Sequence, residues 1–214
     1  MKIANQKLLG SVLLGVCLGS ALSACAPIMM GGAVMGTLMA TDRRTSGTQV
    51  EDEGIELRGA NRIRENLGER GHVNVTSYNR QVLLTGEVPS AQDKQLVEQI
   101  LSKVENVRSV VNEIGVLENS SLSQRSSDTL VTGKIKASMV DAQDLFANSF
   151  KVVTERGTTY LMGRVTQREA NRATDLVRSI DGVKKVVRVM EIISEEELQR
   201  LQAKPAPAPT EVKK

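Results

Sequence analysis

The residue types that carry most enzyme and metal chemistry are scarce in this chain. Its 214 residues include one histidine, His72, two cysteines, Cys17 and Cys25, and no tryptophan. Two cysteines cannot supply a disulfide framework or a cysteine-rich metal site, and a single histidine leaves little for acid–base catalysis near neutral pH. His72 stands at the start of a predicted strand, where we expect a surface residue and not a metal ligand. The sequence therefore predicts a protein that is not an enzyme, with no catalytic site, no metal and no cofactor.

Cys25 follows a segment that has the pattern of a secretion signal. Residues 1–24 begin with two lysines near the amino terminus and continue with an apolar stretch that is too short to span a membrane together with its flanks. The tetrad Leu22-Ser23-Ala24-Cys25 resembles the lipobox at which bacterial lipoproteins are cleaved. The resemblance implies a lipoprotein signal peptide over 1–24 and a mature chain whose first residue, Cys25, carries a diacylglyceryl thioether and an acyl chain such as palmitate.

The residue after Cys25 bears on the destination of such a lipoprotein. Ala26 stands where an Asp commonly retains lipoproteins at the inner membrane, so the resemblance implies the periplasmic face of the outer membrane. Each buried methylene contributes about 0.8 kcal/mol, so two or more acyl chains anchor stably. We predict a lipidated apolar segment and a polar tether over residues 25–53. The apolar run at 28–41 is too short to span a bilayer, and it either lies on the membrane or forms a flexible linker.

A helix predicted over residues 127–140 is apolar on two opposite sides. At about 100° per residue, Val131, Ile135 and Met139 form a stripe that suits a protein core. The opposite side carries apolar or small residues beside two lysines: Leu130, Gly133, Lys134, Lys136, Ala137 and Val140. Interfacial helices combine such groups, because apolar side chains reach below the headgroups while lysines meet the phosphates. We interpret this side as a lipid-binding surface; alternatively, Leu130 and Val140 pack against the domain that precedes the helix.

The elements that must position these residues occur twice along the chain. Residues 74–88 and 151–165 each read as a strand, a short polar turn and a second strand, the pattern of a hairpin. A helix-start signature follows each hairpin, with a hydroxyl residue three places before a carboxylate: Ser90 and Asp93 in the first copy, Thr166 and Glu169 in the second. Each copy closes with a valine-rich run, and a further helix precedes each hairpin, over about 54–68 and 127–140.

Together these elements predict an α+β fold built from two tandem αββαβ domains. The repeat places the first domain at 54–118, a Ser-rich linker at 119–126 and the second domain at 127–193. A short helix and a Pro-rich tail follow over 194–214. Hydrophobic residues make up 40% of the chain, which is enough to form globular cores in both domains.

Both copies resemble the BON domain. The resemblance rests on a glycine that ends the second strand and on a Gly-Val-x-x-Val-x-Asn close, matched by Gly86, Gly163, Gly182, Val183, Val110, Val111 and Asn112. The copies depart from this pattern at Asn106 and Arg188. A lipobox followed by two such units resembles the dual BON-domain outer-membrane lipoproteins of the DolP family. That resemblance implies binding of anionic phospholipid through the second BON domain, support of envelope integrity and concentration at division sites.

The two domains carry opposite net charge. Residues 51–118 contain 8 basic and 12 acidic residues, whereas residues 125–193 contain 12 basic and 8 acidic ones. A basic second domain held at a membrane indicates an anionic partner, and we expect anionic phospholipids such as phosphatidylglycerol. Aromatic residues make up only 2% of the chain, which leaves little to stack on bases and argues against nucleic acid as a partner. The alternative function is a protein–protein adaptor for periplasmic or outer-membrane partners of the envelope.

Overall fold

The structure, a computed structural model, describes residues 42–202. The predicted signal peptide, the lipidation of Cys25, the apolar segment and the Pro-rich tail lie outside the described residues. Helices combined with two β-sheets confirm the predicted α+β class. None of the helices within 42–202 has both the length and the apolar character needed to cross a bilayer.

The first domain is a helix, a hairpin, a second helix and two short strands. Its elements are α1 (Ser46–Leu67), β1 (His72–Tyr78), β2 (Gln81–Val88), α2 (Ala91–Ser102), β3 (Ser109–Asn112) and β4 (Gly115–Val116). Strand β2 lies at the centre of the sheet, antiparallel to β1 and parallel to both β3 and β4. The predicted αββαβ order is therefore present, with the closing strand divided in two.

The second domain repeats this order with a longer closing strand. Its elements are α3 (Leu122–Asp141), a 3₁₀ turn (Ala147–Ser149), β5 (Phe150–Glu155), β6 (Thr158–Thr166), α4 (Gln167–Arg178) and β7 (Lys185–Ile193). Strand β6 is central, antiparallel to β5 and parallel to β7. A last helix, α5 (Glu195–Gln202), follows the sheet.

Both leading helices begin earlier than the sequence pattern predicts. Helix α1 starts at Ser46 instead of near residue 54, because the hydroxyl of Thr45 accepts a hydrogen bond from the backbone N–H of Thr48 and caps the helix. Helix α3 starts inside the predicted linker, where the hydroxyl of Ser121 accepts the N–H of Gln124 in the same way. The serines and threonines that indicate a linker in the sequence are N-caps in the structure.

The core stripe of α1 consists of the buried residues Ile55, Gly59, Ile63 and Leu67, while Ala60 is only half-buried. A Cβ atom on Gly59 would lie 2.7 Å from the Cδ1 atom of Leu101 on α2. The missing side chain therefore lets α1 approach α2 closely, a role that a pattern of apolar residues does not indicate.

The capping signatures differ between the two copies. Thr166 and Glu169 form a complete capping box, because the Glu169 carboxylate also accepts the backbone N–H of Thr166. In the first copy the Ser90 hydroxyl caps the helix, but the shorter Asp93 carboxylate accepts that hydroxyl at 2.6 Å and pairs with Arg70. The prediction of a full capping box is correct for the second copy, while the first has only its N-cap half.

Three apolar clusters hold the described residues together. One lies between the helices and sheet of each domain. The third contains residues of both sheets, so the two sheets bury apolar side chains against each other: Tyr78, Leu83, Tyr160, Met162 and Val189. Along β2, Val82 and Leu84 join the core of their own domain whereas Leu83 joins this shared cluster. Both faces of the central strands are thus covered, and the two domains pack sheet to sheet.

Candidate functional site

All six residues of the predicted lipid-binding surface lie exposed on α3. Leu130 and Val140 are 69% and 71% exposed, and nothing lies within 4 Å of the position that a Cβ atom would take on Gly133. On the opposite side of the helix, the expected core stripe of Val131, Ile135 and Met139 is buried. Helix α3 therefore has one apolar stripe in the core and a second one at the surface.

The alternative that Leu130 and Val140 pack against the first domain is not what the structure shows, since both side chains are exposed. The surface extends further toward the start of the helix than the sequence predicts. Leu122, the first residue of α3, is 80% exposed. Its serine neighbours indicate a linker, and only the N-cap at Ser121 places it on the helix.

The lysines of this surface stand in a stretch of α3 without acidic residues. Lys134 and Lys136 are exposed, and neither forms a salt bridge within the described residues. The acids nearest to them in the helix are Asp128, which is buried, and Asp141 at its last position. The stretch between these two acids carries only positive charge, as a surface for anions requires.

Helix α1, the counterpart of α3, differs from it in charge more than in exposed apolar area. Exposed apolar side chains are present on both helices, since Val50 and Leu57 on α1 are 69% and 65% exposed. Their surroundings are acidic, because Glu51 and Glu53 stand beside Val50 in the chain. The cation nearest to Glu51, Arg58, is bound to it at 2.5 Å. Leu57 stands among polar neighbours, so the local pattern does not reveal its seven-residue spacing from Val50.

Two equivalent carboxylates, one in each domain, fix the hairpin of that domain to its leading helix. Asp52 on α1 accepts the backbone N–H groups of Asn79 and Arg80 at 2.8 Å, and Asp128 on α3 accepts those of Arg156 and Gly157. All four turn residues have φ between 51° and 78°, as a two-residue hairpin turn requires. The sequence pattern places Asp52 in a polar tether, but this residue is buried and belongs to the fold.

A close contact between Gly182 and Val131 also holds α3 in position. This glycine has φ of 98°, and a Cβ atom on it would lie 2.5 Å from the Cγ2 atom of Val131. Glycine therefore allows the loop before β7 to approach the core face of α3. The Asp128 contacts and this approach together set how the outer face of α3 is presented.

Residues 42–44, predicted as part of the tether, are instead held by both domains. The Arg43 guanidinium donates to the Glu169 carboxylate and to the carbonyl of Arg164 at 2.8 Å, both in the second domain. Arg44 pairs with Asp52 of the first domain at 2.8 Å, and its guanidinium carbon lies 4.2 Å from the centre of the Tyr78 ring. Partners of this kind, far away in the chain, leave no local pattern by which the sequence could reveal them.

A polar cluster joins the two domains at another point. The buried Glu87 carboxylate of β2 pairs with Arg156 of the second domain and lies 3.3 Å from His72 Nδ1. Burial alone would raise the pKa of Glu87, but hydrogen bonds from Arg156 and from the backbone of Ser120 hold it below its ordinary value. The pKa of Glu155 is raised, chiefly because that carboxyl is buried. His72, expected at the surface, is therefore only partly exposed and faces a carboxylate.

The comparisons with known proteins assign the repeat to a family. The family model described as "BON domain" matches residues 52–118 and 127–194. The chain is 37% identical over 174 residues to "Outer membrane lipoprotein DolP" of Haemophilus influenzae, covering 80% of this chain and 90% of that protein.

Two further relatives are more distant. The chain is 32% identical to "21 kDa hemolysin" of Actinobacillus pleuropneumoniae, over 71% of this chain and 79% of that protein. It is 29% identical to "Osmotically-inducible protein Y" of Escherichia coli, over 53% of this chain and 58% of that protein.

Proposed function

This chain is a dual BON-domain protein of the DolP family, and from that membership we propose that it is an outer-membrane lipoprotein that binds anionic phospholipid through α3. The family is non-catalytic, so the prediction that the chain is not an enzyme is confirmed. The observation that carries the lipid-binding proposal is the exposed stripe of α3, on which Leu130 and Val140 flank two lysines that have no salt-bridge partner among residues 42–202.

The proposed attachment to the outer membrane is through Cys25. Cleavage before this residue gives a mature chain whose acyl groups insert in the periplasmic leaflet, since Ala26 does not provide the inner-membrane retention signal. The anchor brings the second domain to the bilayer at high effective concentration, so α3 needs only modest affinity of its own. In this proposal the protein supports envelope integrity and acts at division sites, where local enrichment of anionic lipid recruits it.

In this binding mode, helix α3 lies in the plane of the membrane–water interface. Leu130 and Val140 are ten positions apart, so they span about 15 Å along the helix axis and reach below the headgroups together. Lys134 and Lys136 lie between them and meet phosphate groups, each contributing on the order of 1 kcal/mol near an anionic surface. The absence of a side chain at Gly133 lets the helix backbone come close to the headgroups.

The experiment that tests this function is co-sedimentation with lipid vesicles. A soluble form lacking residues 1–25 is mixed with vesicles of phosphatidylcholine alone or of phosphatidylcholine with phosphatidylglycerol. We expect sedimentation with the anionic vesicles only, weakening as salt is raised. Equal sedimentation with both vesicle types, or with neither, contradicts lipid recognition through charge.

The exposed apolar pair on α1 supports a second candidate function. Val50 and Leu57 lie on the acidic first domain, a surface that suits a basic protein partner better than an anionic membrane. In this alternative the chain is an adaptor for periplasmic or outer-membrane proteins of the envelope. A Leu57→Asp variant that fails to support envelope integrity in cells, while sedimenting normally with anionic vesicles, would favour the adaptor.

A further inference from the structure

Three side chains that share no helix or loop come together where the two domains meet. His72 begins β1 and Glu87 is its direct cross-strand partner on β2, both in the first domain. Glu155 ends β5 in the second domain. One ligating atom of each lies within 4.8 Å of the other two: an imidazole nitrogen and two carboxylate oxygens.

The spacing of these atoms suits one metal ion. Zinc binds histidine nitrogen and carboxylate oxygen at about 2.0–2.2 Å, which separates neighbouring ligands of a tetrahedral site by about 3.4 Å. His72 Nδ1 and Glu87 Oε2 are already 3.3 Å apart. Glu155 needs only a side-chain adjustment to complete a three-ligand site, and its partial exposure leaves access for the ion and for water at a fourth position.

Two carboxylates, Glu87 and Glu155, share one arginine at this point, so the cluster keeps a net negative charge. Glu155 accepts a hydrogen bond from the Asn74 amide at 2.9 Å but forms no salt bridge within residues 42–202. Its surroundings include the further acids Glu87 and Asp128. Arg156 leaves the Oε2 atom of Glu87 facing His72, because its own Nε atom binds the other oxygen, Oε1. The Nη2 atom of Arg156 donates to the carbonyl of Glu118.

We propose that His72, Glu87 and Glu155 bind a divalent transition-metal ion of the zinc class, and that the ion ties the first domain to the second. An imidazole nitrogen with two carboxylates favours zinc-class ions over calcium and magnesium, which prefer sites built from oxygen alone. The site is separate from the outer face of α3, so it does not depend on lipid binding.

The single histidine makes this proposal testable with one spectroscopic probe. The mature lipidated protein, purified in detergent without an affinity tag and treated with a chelator, is titrated with zinc chloride. We expect one zinc ion per chain and a large shift of the ¹⁵N resonance of the only imidazole, His72. At a hundredfold excess over the dissociation constant, the melting temperature should rise by about 5–10 °C, because only the folded state holds ligands from both domains together.

Variants separate this site from adventitious binding. His72→Gln and Glu155→Gln should each weaken zinc binding by about tenfold or more and abolish the melting shift, whereas Glu105→Gln at an exposed acid should leave both unchanged. Calcium chloride should give no shift. The proposal is overturned if zinc does not bind at about 100 µM or if calcium binds equally well; a melting shift at that concentration that survives in His72→Gln overturns it as well.

Discussion

The Arg43 guanidinium and the Glu169 carboxylate form a bidentate salt bridge, with N–O distances of 2.8 and 2.7 Å. The two residues are 126 positions apart in the chain. Their side chains are only 5% and 1% exposed. Glu169 is at the same time the carboxylate of the capping box that begins α4. The pair thus joins the first described residues of the chain to the second domain.

Replacement of Arg43 by Ala should lower the free energy of unfolding by about 3 kcal/mol, because it leaves the buried Glu169 carboxylate without its cation. Chemical denaturation of the soluble form measures this change. The matched control is Arg172→Ala, which breaks the exposed pair of Arg172 with Asp144 and should leave the free energy of unfolding nearly unchanged. Equal losses in the two variants would contradict a special role for the buried pair.

The same pair should make stability depend on pH. Burial alone would raise the pKa of Glu169, but hydrogen bonds from Arg43 and from the backbone N–H of Thr166 hold it below its ordinary value. Its stabilisation is therefore complete above the unfolded-state pKa of about 4.3 and is lost as the pH falls through the lower folded-state pKa. The difference in free energy of unfolding between the wild type and Glu169→Gln should shrink between about pH 5 and pH 3. A difference that stays constant over this range would refute the assignment.

Reversing the charge of the α3 lysines should remove most binding to anionic vesicles. Each lysine contributes on the order of 1 kcal/mol near such a surface, so Lys134→Glu with Lys136→Glu should weaken binding by about 30-fold or more. Arg64→Glu with Lys103→Glu, the same charge change on exposed residues of the first domain, should bind nearly as the wild type does. Co-sedimentation measures both, with circular dichroism as the check of folding. Unchanged binding in the α3 variant would rule out this helix as the lipid-binding surface.

Two glycines around α3 should respond in opposite directions to alanine. Gly182→Ala places a Cβ atom against Val131 at a positive φ and should destabilise the protein by about 2 kcal/mol. Gly133→Ala, on the open face of the same helix, should stabilise it by about 0.5–1 kcal/mol. Thermal unfolding measures both changes. A stable Gly182→Ala variant would show that the loop before β7 does not fix α3.

Local patterns predicted the repeat and both sides of α3, because helix periodicity, hairpin turns and N-caps depend on residues a few positions apart. They missed the packing of sheet on sheet, although Val82-Leu83-Leu84 and Tyr160-Leu161-Met162 are unbroken apolar runs of the kind found in strands covered on both faces. They also misassigned residues 42–53. A run rich in charge is typical of a tether, and only the fold shows that Arg43 and Asp52 have buried partners far along the chain.

The contacts of Arg43 and Arg44 determine how the protein bears tension. Tension on the chain before Asp42 acts first on Arg43, which is bound to the second domain. It then acts on Arg44, which is bound to the first domain. Both domains share the load from the outset, so α1 is not peeled away alone. If Cys25 holds the chain in a membrane, thermal movement of the bilayer therefore displaces the two domains as one body.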